Sequence, residues 1–160
     1  MMMSAAQVIA IMEKLYKLHK VLYQLEQKKE KLLKEDNVDG LNGLLAEEQK
    51  YIAAIQTLER ARKKEVANWL GQEEATISDC LEKAEGEEKE KLFQLRKQLM
   101  DVVELLKQQN HLNQQLIYQS LQFITYSLNL LHPQPREATY SHPKQIMKER
   151  LGQSLFDSKV

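Results

Sequence analysis

The chain has 160 residues, and its 23 basic and 23 acidic side chains leave no formal net charge. A neutral chain offers no electrostatic attraction for nucleic acid or an anionic membrane surface, and no run of about 18 apolar residues exists to span a bilayer. Few Pro and Gly, and a single cysteine, Cys80, exclude a disulfide framework and suit one domain of long helices in a reducing cytosol.

The N-terminal segment Met1–Ala6 has no basic region followed by an apolar one, so no secretory signal is expected. Ser4 and Gln7 have the spacing of a capping box and predict that the first helix starts there. Val8, Ile11, Leu15, Leu18, Leu22, Leu25, Lys29 and Leu32 then alternate by three and four, a coiled-coil-like spacing that only Lys29 interrupts. Asp36 to Gly40 reads as a short connection, with Asp36 or Asp39 as the cap of a second helix. That helix is expected from about Leu41 to Leu70. Its apolar side is Leu41, Leu44, Leu45, Ile52, Ile55, Leu58, Val66 and Trp69 or Leu70, and Gly71 ends it. Two stripes joined by so short a connection predict an antiparallel hairpin.

Thr76 or Ser78 is placed to cap a one- or two-turn helix carrying Ile77 and Leu81. From Gly86 no Pro or Gly interrupts the pattern until Pro133, which predicts a third long helix of about 46 residues, roughly 69 Å. Residues 133–160 contain Pro133, Pro135 and Pro143 and read as a flexible tail. A short amphipathic segment at Ile146, Met147, Leu151, Leu155 and Phe156 is expected to order on contact. The expected architecture is an all-α, elongated antiparallel bundle or coiled coil of three long helices over 1–132, with a tail over 133–160.

One stretch departs from the composition of the rest. Residues 108–135 contain no Asp, Glu, Lys or Arg, although 29% of the chain is charged. On a helical wheel the third helix carries a continuous stripe of Leu92, Leu95, Leu99, Val102, Val103, Leu106, Ile117, Leu121, Ile124, Leu128 and Leu131, with a polar gap at Asn110 and Asn113. The first two helices need this stripe to complete a core. A second stripe, Leu105, Leu112, Leu116, Phe123 and Leu130 flanked by Tyr126, lies about 100° away and is confined to the distal half. It either packs within the fold or receives a partner helix, from another protein or from a second copy in a homodimer. Burying four such side chains contributes roughly 6–12 kcal/mol gross, against an association cost of about 4–15 kcal/mol. A modest, reversible contact is expected.

Chemistry-bearing constellations are not legible. His19, His111, His132 and His142 have no Glu-x-x-His partner for a bundle metal site, and Cys80 has neither a neighbouring His nor a second Cys. Gly40-Leu41-Asn42-Gly43 is no phosphate loop. Lys28 to Lys31 and Glu87 to Lys91 read as solvated helix faces, and Trp69 as a core residue at the hairpin end. No enzyme activity, cofactor or metal is expected.

The order of parts resembles the FlgN-type flagellar export chaperones. The second helix reads Leu44-Leu45-Ala46-Glu47-Glu48-Gln49-Lys50-Tyr51-Ile52, then Leu58-Glu59-Arg60-Ala61-Arg62. This is similar to the family's leucine pair, charged cluster and Leu-Glu-x-x-Arg close. Leu106, Asn110, Asn113, Leu116 and Ile117 match its Asn-x-x-Asn, Leu-Leu pattern. Pro133, Pro135, Glu137 and Tyr140 resemble its linker and tail tyrosine, although Ser141 stands where a Gly is usual. The final residues, Leu155 to Val160, look like the end of members from Gram-positive bacteria. The resemblance implies a cytoplasmic chaperone for the hook-associated proteins FlgK and FlgL. Such a chaperone binds their C-terminal helical segments, prevents premature assembly and delivers them to the export gate FlhA. It implies partner-binding roles for Asn110, Asn113, Leu116 and Ile117, beside the stripe residues Leu112, Phe123, Tyr126 and Leu130, and gate docking for Tyr140. From the residues alone, the competing reading is a self-associating coiled-coil scaffold or adaptor.

Overall fold

The computed structural model describes residues 5–131, which form four helices: α1 (Ala5–Lys34), α2 (Val38–Leu70), α3 (Ile77–Lys83) and α4 (Gly86–Leu131). Among the described residues the secondary structure is helical, as the periodicity predicts. The expected Ser4 cap, the tail over 133–160 and Tyr140 lie outside them.

Helix α1 is the central element. Both α2 and α4 pack along it, while α3 touches α2 and α4 at one end and direct contact between α2 and α4 is minor. A helix with two neighbours must bury a broader arc than a two-helix seam. Accordingly Val8, Leu15, Leu22 and Leu25 are buried as their spacing predicts, but Met12 and His19 are buried too. Ile11 and Leu18 are only half-buried at the edge of the core.

The α1–α2 connection departs from the expected cap. Helix α2 begins at Val38, and Asn37 is its N-cap, its side chain accepting from the Gly40 N–H at 2.9 Å. Asp36 is taken up by ending α1, with φ at 54°, a left-handed conformation that Asp tolerates better than most residues. Asp39 lies inside the first turn, where its carboxylate complements the helix dipole. A Cβ on Gly40 would come within 2.9 Å of Leu32 Cδ2 and Asn37 Nδ2, so glycine lets the turn close against the end of α1. At the other end of α2, Gly71 adopts φ 70° and its N–H donates to the Ala67 carbonyl, the expected glycine cap.

Thr76 caps α3 through a full capping box with Asp79. The short helix buries Ile77 and Cys80, closing the end of the core formed by Val8, Met12, Val66, Leu92 and Leu99. Trp69 packs against that core, half-buried, with the Lys83 ammonium 5.8 Å from its ring centre.

Helix α4 lies beside α1 in the same direction. Asn113 pairs with Glu26, 87 positions apart, and Met12 and Leu99, at the same separation, line one cleft of about 990 Å³. Eight residues after Glu26, α1 ends at Lys34, whereas α4 continues to Leu131. It therefore overruns α1 by about ten residues, roughly 15 Å.

This overrun corrects the expected core stripe. Burial along α4 includes Leu92, Leu95, Leu99, Val102 and Leu106 and ends at Asn113. Beyond it, Ile117 and Leu121 are half-buried, and Ile124, Leu128 and Leu131 are 52%, 55% and 73% exposed. The apolar pattern continues, but the helix it packed against has stopped.

One helix thus has a long load-carrying part and a short projecting end. Leu99→Ala is expected to cost about 2–5 kcal/mol of stability, and Phe123→Ala to change it by no more than about 0.5 kcal/mol. Urea unfolding followed by circular dichroism at 222 nm separates the two.

Candidate functional site

The surface begins at a buried polar junction of α1, α2 and α4. Lys29, expected to interrupt the apolar stripe and to lie on a solvated face, is instead 2% exposed, between Glu26 and Glu48, which are 0% and 1% exposed. Its Nζ lies 3.2 Å from Glu26 Oε1 and 2.6 Å from Glu48 Oε2. A lysine on an apolar stripe survives burial only when a carboxylate meets it. Here the partners come from its own helix and from the neighbouring one. From α4, Asn113 Nδ2 donates to the Glu26 carbonyl oxygen at 2.8 Å and to Glu26 Oε2 at 3.0 Å. Gln109 Nε2 donates to Glu30 Oε1 at 3.0 Å and to Asn113 Oδ1 at 3.2 Å.

The junction holds two carboxyl groups and one ammonium in near-complete burial. Desolvation, reinforced by the hydrogen bond and charge of Glu26, pushes the Glu48 carboxyl up from 4.5 to about 7, with Lys29 opposing. The pair thus holds on to a proton, since two ionised carboxylates against one ammonium would leave a net charge in an apolar site. At the rim, the Gln109 hydrogen bond and then Lys34 draw the Glu30 carboxyl below its ordinary value. Further along α1, burial lowers the pKa of His19, while its contact with the Leu15 carbonyl and the charge of Glu59 act the other way.

Asn110 and Asn113 are 2% and 1% exposed. Asn113 fastens α4 to α1 through Glu26, whereas the Asn110 amide nitrogen is buried without a hydrogen-bond partner among the described residues. Both asparagines are inside the fold, so any part they have in binding acts through the placement of α4. Their amides explain the polar gap in the stripe, which is the buried junction itself.

The exposed surface runs alongside the junction and past it. Leu105 and Leu112 are 44% and 38% exposed, and Phe123, Tyr126 and Leu130 are 71%, 64% and 66% exposed. Leu116 and Ile117 are half-buried. The structure brings Leu112, Leu116, Phe123 and Leu130 onto one face of α4, with Tyr126 beside it. It also exposes Ile124, Leu128 and Leu131 on the opposite flank, which the sequence assigned to the core. The signal for them was the difference in helix length: a first helix of 30 residues cannot cover a helix of 46. The signal for the junction was a pair of stripe interruptions of opposite sign, Lys29 on α1 and Glu48 in line with Leu44 and Ile55 on α2.

No helix among the described residues is long and apolar enough to cross a membrane. Cys80 is a free, buried thiol, and desolvation pushes its pKa from 9.0 up to about 11, away from nucleophilic reactivity. His111 is exposed, its Nε2 3.2 Å from the Gln115 amide.

Comparison with known proteins gives this surface a context. A family model described as FlgN protein matches residues 1–147. The chain belongs to the FlgN family. Membership implies a flagellar chaperone role, and the match includes the whole of α4. A relative in Bacillus subtilis (strain 168), described as uncharacterized protein YvyG, is 40% identical, covering 99% of this chain and 100% of the relative. No solved structure matches the chain.

The junction makes stability depend on pH. Glu48 has a raised folded-state pKa, so its contribution is fully present below the unfolded value of 4.5 and is lost as pH rises through about 7. His19 is lowered from 6.5, so its contribution runs the other way and is lost as pH falls below that value. Glu48→Gln, neutral at every pH, is expected to gain on the wild type as pH rises from 4.5 to 8. Between those two pH values the stability difference should shift in the variant's favour by on the order of 1–3 kcal/mol. Denaturant midpoints for the two proteins across that range check this, and a constant difference would contradict it.

Proposed function

We propose that this FlgN-family protein is a non-enzymatic cytoplasmic chaperone for the hook-associated proteins FlgK and FlgL. It binds their C-terminal helical segments on distal α4, keeps them from assembling prematurely, and delivers them to the export gate FlhA. The observation that carries the reading is the charge-free end of α4, where Phe123, Ile124, Tyr126, Leu128, Leu130 and Leu131 are exposed. Bordering Gln, Asn and Ser residues accept burial at lower desolvation cost than Lys or Glu would. The contact is therefore apolar, of moderate affinity and reversible, which suits a client that must be handed on. The three long helices act as one elongated unit, with α2 antiparallel to α1 and α4 parallel to it, whose buried part is a rigid handle for the projecting part. Asn113 supports binding from within by fixing α4 to Glu26, with Asn110 buried beside it, while Leu112, Leu116, Ile117, Phe123, Tyr126 and Leu130 form the surface. Tyr140, which lies outside the described residues, is assigned to gate docking on the family resemblance.

Titrating the full chain with a C-terminal segment of FlgK tests the surface. Leu116→Asp combined with Phe123→Asp is expected to weaken binding at least about tenfold, or 1.4 kcal/mol, with helicity retained. Unchanged affinity would sink the assignment. Light scattering tests the scaffold alternative: a tight dimer that persists when the client segment is added would favour self-association. Tyr140→Ala should keep wild-type affinity for the FlgK segment and lose capture of FlhA in a pulldown. Equal loss of both, or of neither, would remove Tyr140 from the docking role.

A further inference from the structure

Toward its C-terminal end, helix α4 carries two apolar faces, of which the second begins beside α1 and runs on past its end. The first is Leu121, Ile124, Leu128 and Leu131, the direct continuation of the α1–α4 interface formed by Leu92, Leu99 and Leu106. The second is Leu112, Leu116, Phe123 and Leu130. Their centres lie roughly a third of the helix circumference apart. A packed neighbour at about 8–10 Å covers one such stripe. One helix laid against α4 would leave the other face in water.

We propose that a single client chain brings two helices to distal α4. One takes over the position that α1 vacates at Lys34, along Ile124 and Leu128; the other covers Leu116, Phe123 and Leu130. This rests on the chaperone reading above and specifies its partner: a helical hairpin, or two successive amphipathic helices, with apolar inner faces and uncharged borders. Continuity with the α1–α4 interface argues for the first helix, because the same stripe already accepts a parallel neighbour along its buried length. The absence of Asp, Glu, Lys and Arg from residues 108–131 argues for uncharged borders on both, since a buried carboxylate or ammonium of the client would find no counter-ion there.

Other occupants cover too little. Two copies pairing about a two-fold axis use the same patch on each, so α4 against α4 fills one face and leaves the other. The chain's own residues 146–156 carry one short stripe, Met147, Leu151 and Leu155, enough for one face at most.

The test uses the full chain, a C-terminal segment of FlgK spanning its terminal helices as the probe, and a photo-crosslinking residue placed at Leu128 or at Leu130. Mass spectrometry of the joined peptides is expected to show two different helices of the same client segment. Ile124→Asp with Leu128→Asp should weaken binding at least about tenfold, as should the second-face pair, while the unfolding midpoint stays within that of the wild type. Crosslinks from both positions to one client helix would overturn the proposal, as would wild-type affinity after the Ile124 and Leu128 changes. Crosslinks to residues 146–156 or to a second copy in saturated complex would overturn it too. In those cases client binding itself survives, so the chaperone reading stands. Failure of the wild type to bind the segment at all refutes both.

Discussion

Helix α1 sets the limits of the fold because both long neighbours pack on it and barely on each other. Its 30 residues decide how much of the 46-residue α4 can be buried. Core continuity, the junction at Glu26, Lys29 and Glu48, and the bare end of α4 all follow from where α1 stops. An apolar stripe on a helix is only a capacity for packing, and α1 converts part of that capacity into core.

The polar junction marks the boundary between the two parts of α4. A buried ion pair contributes little net stability, but removing one member leaves a charge stranded at a cost of about 3–5 kcal/mol. Such a site penalises sliding of α2 or α4 along α1 more sharply than leucines would, because only one register brings Glu48 to Lys29 and Asn113 to Glu26. The Asn113 amide, bonded to both the backbone and the carboxylate of Glu26, pins α4 just before it leaves the bundle. The projecting end is then held at a fixed length and rotation, which a surface needs if its two faces are to be distinct.

Much of the architecture was legible. The helix end at Gly71 and a cap at Thr76 or Ser78 were read from capping chemistry, which acts over three or four residues and is local by nature. The uninterrupted run to Leu131 was read from the lack of Pro and Gly. Less legible was the beginning of α2, where Asn37 caps and Asp36 does not, because Asp36, Asn37 and Asp39 all have capping side chains and backbone conformation chooses among them. The fate of Lys29 was hidden for a similar reason. Its spacing put it on the apolar stripe of α1, but the partner that lets it stay buried, Glu48, is on another helix.

By itself the sequence determined the helices, their order, the two apolar stripes of α4 and the charge-free segment, because these depend on residue type and on a fixed helical period. Only the tertiary structure decided which part of each stripe became core. Ile124 and Leu99 have the same chemistry and sit on the same side of the same helix. One is exposed and the other buried because burial depends on a neighbour, and the helix that covers Leu99 has ended before it reaches Ile124. The asparagines were settled in the same way: Asn110 and Asn113 are buried, and Asn113 holds the surface in place from inside through Glu26, while the leucines and Phe123 form it.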